Sequence, residues 1–76
     1  MKLNKEKFDE LITLTKLYYS THNIDLVKVL CVKEEELFGE DNYSWMSDII
    51  TGITCARNYD NEIYYKVFEV LGYEIH

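Results

Sequence analysis

The chain has 76 residues, of which 47% are apolar and 29% charged, and it carries a net charge of −6. A chain of that length reads as one domain over residues 1–76, with a stability of about 3–5 kcal/mol. It holds no run of about 18 apolar residues and no apolar block behind its lysine-containing start, MKLNKEKFDE, so the expectation excludes a membrane span and a secretory leader.

Proline is absent and glycine occurs three times. Scarce breakers favour long regular segments, and the apolar spacing predicts an all-α fold, a compact bundle of three longer helices plus one or two short ones. The first helix is expected from Asn4 to about Ser20. Asn4 suits the N-cap, and Leu3 and Phe8 suit a hydrophobic staple across it. Phe8, Leu11, Ile12, Thr15 and Tyr19 recur at helical spacing. Leu14, Leu17 and Tyr18 widen that face, which makes this helix central in the bundle or leaves it an apolar flank for a partner.

Thr21, His22 and Asn23 read as a turn, with Asn23 capping a second helix over about Ile24 to Cys31. Ile24, Val27, Leu30 and Cys31 share a face, which makes Cys31 a small buried hydrophobe. A short helix is expected over Glu34 to Phe38. Its three leading glutamates would sit in the first turn, where the helix dipole favours negative charge, and Gly39 would end it. A third long helix spans about Ser44 to Arg57, with Trp45, Met46, Ile49, Ile50, Ile53 and Ala56 inward and Asp48, Thr51 and Cys55 on the other side. A fourth runs from an Asp60 cap to Leu71, with Ile63, Tyr64, Val67, Phe68, Val70 and Leu71 as its apolar face. Gly72 suits a left-handed helix stop with Tyr73 packing back, and the residues to His76 read as a short tail.

The stretch Asp25 to Asp41, DLVKVLCVKEEELFGED, resembles the closing part of Cro/C1-type phage repressor domains, where an apolar helix, a short turn with a valine and an acidic, Leu-ended helix follow one another. In that family the DNA-reading helix-turn-helix lies upstream. Here the upstream residues read as one long helix, and the basic residues of such a reader are missing. The resemblance therefore implies a supersecondary shape, and no DNA-contacting residue carries over.

No phosphate-binding loop, dinucleotide fingerprint, His-Glu-x-x-His or Cys-x-x-Cys is present. Cys31 and Cys55 are read as reduced thiols of a cytoplasmic protein in a bacterial host cell. His22, Cys31, Cys55 and His76 have no spacing that brings them together as zinc ligands. His22, with Asp25 nearby, reads as a solvated or capping helix-start histidine. The expectation is a protein without cofactor, metal or catalytic centre.

What stands out is the charge distribution. Residues 34–56 hold Glu34, Glu35, Glu36, Glu40, Asp41 and Asp48 and no lysine or arginine, so this segment carries −6. The other residues hold eight acidic and eight basic side chains, so the whole net charge belongs to this one segment. Phe38, Tyr43 and Trp45 lie in it. Aromatic side chains provide contact area at low entropy cost, and carboxylates steer a basic partner. Trp45 fits the inner face of its helix, which leaves Tyr43 as the surface aromatic.

These features point to a non-enzymatic inhibitor or regulator that covers a basic, nucleic-acid-handling protein such as a nuclease or a CRISPR effector. Glu34, Glu35, Glu36, Glu40, Asp41, Tyr43 and Asp48 would make the contact. In charge and size such a protein is similar to phage anti-host and nuclease-immunity proteins, although no motif of either is present. Two alternatives stand beside it. One is a small DNA-associated regulator using Lys2, Lys5, Lys7 and Lys16. The other is a subunit that homodimerises through the apolar flank of its first helix.

Overall fold

A computed structural model describes residues 2–56 and 60–76. Four helices form the body: α1 (Lys5–Thr21), α2 (Asp25–Phe38), α3 (Tyr43–Cys55) and α4 (Asn61–Val70). Two short strands, β1 (Lys2–Leu3) and β2 (Glu74–Ile75), pair in parallel with Lys2 opposite Glu74 and Leu3 opposite Ile75. The chain is an all-α bundle, as its spacing predicts. The expected end of the third helix at Arg57 lies outside the described residues.

The helix starts follow their local chemistry. Asn4 Oδ1 accepts from the Lys7 N–H at 3.1 Å, and Leu3 and Phe8 are both buried, which is the staple. Asp60 caps α4 through the Glu62 N–H at 3.0 Å. The α1 helix ends on His22, whose φ of 56° is left-handed and whose N–H donates to the Tyr18 carbonyl at 2.7 Å. His22 thus closes α1 rather than opening α2. The N-cap of α2 is Ile24, without a side-chain cap of its own, and Asn23, expected to cap this helix, sits one residue earlier, where its Oδ1 accepts from the Asp25 N–H at 3.1 Å.

Two expectations are corrected along α2. The break expected near Val32 does not occur, and the short helix over Glu34 to Phe38 is the second half of α2. No glycine or proline interrupts 24–38, so propagation costs less than stopping and renucleating. Cys31 is exposed, and Ile24 stands 76% exposed. The buried stripe is instead Leu30, Glu34 and Phe38, spaced i, i+4, i+8.

The core lies where α1 meets α2, α3 and α4. Phe8, Leu11 and Ile12 are fully buried. Phe68 is at its centre, with ring centroids 5.0 Å from Phe8, 5.5 Å from Phe38 and 5.8 Å from Tyr73. Tyr73 reaches this cluster because α4 ends in a left-handed turn. Gly72 takes φ +98°, its N–H donates to Glu69 O at 3.0 Å, and the Tyr73 N–H donates to Phe68 O at 3.0 Å. The remaining residues are a paired strand rather than a tail. The Lys5 N–H donates to His76 O and the His76 N–H to Leu3 O at 3.0 Å. Val70, expected on the inner face of α4, is 88% exposed.

Buried hydroxyls are satisfied locally. Thr15 Oγ1 donates to Leu11 O at 2.8 Å, and Thr54 Oγ1 lies 2.8 Å from both Ile50 O and the Tyr64 hydroxyl.

Candidate functional site

The acidic segment folds into the second half of α2, the turn at 39–42 and all of α3. Glu35, Glu36, Glu40, Asp41 and Asp48 are all exposed. Glu34 is not. It is 7% exposed, on the inner stripe of α2. Tyr43 is half-buried and packs against the core, whereas Trp45 is 56% exposed. The expected roles of the two aromatic residues are therefore exchanged. Met46, Ile50 and Thr54 form the buried stripe of α3, and that phase turns Trp45 outward, one helical turn before Asp48 on the same face.

The continuity of α2 also reverses an electrostatic expectation. Glu34, Glu35 and Glu36 do not lie in a first turn that the dipole favours. They lie close to the C-terminal end of a 14-residue helix whose last turn holds no basic residue. The partial negative charge of that end disfavours carboxylates. Folding alone gains nothing from placing them there.

The second feature is a cleft between α1, α2 and α3. It has a volume of about 160 Å³ and is open to solvent. Tyr18 and Tyr19 come from α1, Cys31 and Glu34 from α2, and Ser47 and Thr51 from α3. The two tyrosine rings stand edge to face with centroids 5.0 Å apart, and the Tyr19 hydroxyl lies 3.5 Å from Thr51 Oγ1. Burial pushes the Glu34 carboxyl above its ordinary range. The Asp48 charge adds to that, and a hydrogen bond with the Ser47 side chain opposes it. This combination of a concave site and a perturbed carboxyl was not expected from the sequence. The signal was present in the Leu30–Glu34–Phe38 spacing, but only a reading of 24–38 as one helix exposes it.

Elsewhere the polar pairs are structural. Lys33 pairs with Glu10. The Tyr65 hydroxyl donates to Asp9, and burial together with that bond raises its pKa. Lys5 lies over the Tyr65 ring at 5.8 Å. Lys16 lies over the Tyr64 ring at 5.5 Å and donates to Asn61 Oδ1 at 3.0 Å. Two of the four lysines of the DNA-associated alternative are thus engaged by α4. The α1 helix packs on both α2 and α3; of the residues that widen its apolar face, Leu14 and Tyr18 lie against the core and Leu17 is exposed. Among the described residues, no three His, Cys, Asp or Glu side chains converge as metal ligands, and no helix is long and apolar enough to cross a membrane.

No protein-family model matches the chain, and comparison with curated proteins and with solved structures gives no match.

Proposed function

We propose that this protein is a small, non-enzymatic inhibitor or regulator that binds a basic, nucleic-acid-handling protein and covers its nucleic-acid groove. The observation that carries this reading is the exposed set Glu35, Glu36, Glu40, Asp41 and Asp48 in the same 34–56 segment as an exposed Trp45, with Asp48 one helical turn from it on α3. A tryptophan in water beside carboxylates matches the anchor and the steering charges of a contact surface. The helix-end glutamates support it further, because they oppose the α2 dipole without a neighbouring base in the last turn. A groove that holds phosphates presents lysines and arginines at a spacing that such carboxylates can meet. The molecule exposes 5038 Å², and an interface of about 800 Å² would take roughly a sixth of it.

The test is capture of partners from bacterial lysate by the wild type and by two variants, Trp45→Ala and the triple Glu35→Lys/Glu36→Lys/Asp48→Lys, at about 100 and about 500 mM salt, which separates screened from apolar contacts. Capture of a nucleic-acid-handling protein by the wild type at the lower salt, lost in both variants, is the expected result. Equal capture by all three proteins sinks the proposal.

A further inference from the structure

Glu34 is a buried acid on the wall of an open cleft, and among the described residues no salt bridge reaches it. Among the described residues Lys33 pairs with Glu10, and His76 Nε2 lies 3.5 Å from Glu74. Neither involves Glu34. The Ser47 side chain is its hydrogen-bonding neighbour, whereas an ionised carboxyl offers about four acceptor positions. A leucine at this position would complete the Leu30–Phe38 stripe without desolvating a charge.

We propose that the cleft between α1, α2 and α3 is a seat for one alkylammonium group, the end of a lysine side chain presented by the basic partner. The proposal rests on the functional reading above and names the chemistry of one contact within it. Four observations support it. The Glu34 carboxyl supplies the counter-charge, in surroundings where water screens it less than at the surface. Asp48 adds a second negative charge close by, so the site repels phosphate and attracts a cation. Tyr18 and Tyr19 bring to its wall aromatic rings of the kind that attract ammonium groups, an interaction the chain already uses at Lys5–Tyr65 and Lys16–Tyr64. The volume of about 160 Å³ is below the roughly 300 Å³ at which small-molecule pockets begin, and it suits a short unbranched chain.

The experiment needs no partner in hand. Wild-type protein and Glu34→Gln are titrated with n-butylammonium, with neutral n-butanol, and with N-acetyl-lysine N-methylamide, and the shifts of the Ser47 and Thr51 amides are followed by NMR. Saturable shifts with both ammonium compounds, absent with butanol and about tenfold weaker in Glu34→Gln, are expected, since one charge-assisted hydrogen bond is lost. Matching responses to butanol and butylammonium, or matching affinities in the two proteins, overturn the site. Binding of butylammonium with the blocked lysine at least about tenfold weaker overturns the lysine assignment in favour of a free amine. Ethylmaleimide attached to Cys31 in a Cys55→Ser background provides a second handle that keeps Glu34. It should fill the cleft and abolish butylammonium binding, and undiminished binding also overturns the site. Failure of the surface reading appears separately, as lysate capture that the charge-reversed triple leaves unchanged.

Discussion

One helical turn of α2 separates two regions built on opposite principles. At Phe38 the inner stripe meets Phe68 and Tyr73 in a closed aromatic cluster with Phe8 behind it. At Glu34 the same stripe meets a serine hydroxyl, two tyrosines and an open cleft. The first region is what a chain of 76 residues needs in order to fold, since burial of apolar surface is the dominant favourable term. The second gives up part of that term within the small core. Where packing, charge and helix position disagree locally while the rest of a molecule is consistent, the disagreement marks residues kept for something other than stability.

That contrast can be tested by substitution, and the two regions should respond with opposite signs. Phe68→Ala is the largest expected effect. Losing a fully buried ring from the centre of the cluster costs about 3–5 kcal/mol, which is comparable to the whole stability of a chain this small. Far-UV circular dichroism at 25 °C should show the variant largely unfolded, and a sharp two-state melt near the wild-type midpoint would show that the cluster does not dominate the fold. Gly72→Ala comes next. Open space surrounds a Cβ built at Gly72, so the cost is the left-handed backbone alone, about 1–2 kcal/mol, read from urea midpoints.

Glu34→Gln should move the other way. It removes a charge that burial disfavours and keeps the shape, and about 1 kcal/mol of added stability at pH 7 is expected from thermal melts. A loss of stability would mean that the ionised carboxyl is well compensated, and the contrast between the regions would collapse. The smallest effect is a difference in pH dependence. The folded-state pKa of Glu34 is raised above its ordinary 4.5, so the folded protein binds this proton more readily than the unfolded one. Its contribution is fully present below the unfolded pKa and is lost as pH rises through the folded one. From pH 7 downward towards 4.5, the wild type should therefore gain stability relative to Glu34→Gln. Parallel curves for the two proteins would remove the raised pKa from the account.

Local rules carried much of the fold. Asn4, Asp60 and the Gly72–Tyr73 stop are readable because each cap involves residues two to five apart, and the Phe8, Leu11, Ile12, Thr15 face of α1 is readable because it keeps the helical period. The site was less legible, for two physical reasons. Three consecutive glutamates look like a helix start when the dipole is the guide, but without a breaker at Val32 the chain continues and they fall near a helix end. In α3, Trp45 and Met46 are adjacent and both apolar, and packing against α1 and α2 decided which of them faced inward. The β1–β2 pair is beyond such rules, since two residues show no period.

The strand pair has a mechanical consequence. In a parallel pair, segments leading away before Lys2 and after Ile75 depart from opposite ends of the ladder. A pull applied through them loads the rungs between residues 2–5 and 74–76 side by side, in shear, instead of peeling them one at a time. The bundle behind that clasp is shielded until the rungs yield together. The molecule should therefore resist stretching in a single step, at a higher force than a helical bundle of its size without such a clasp.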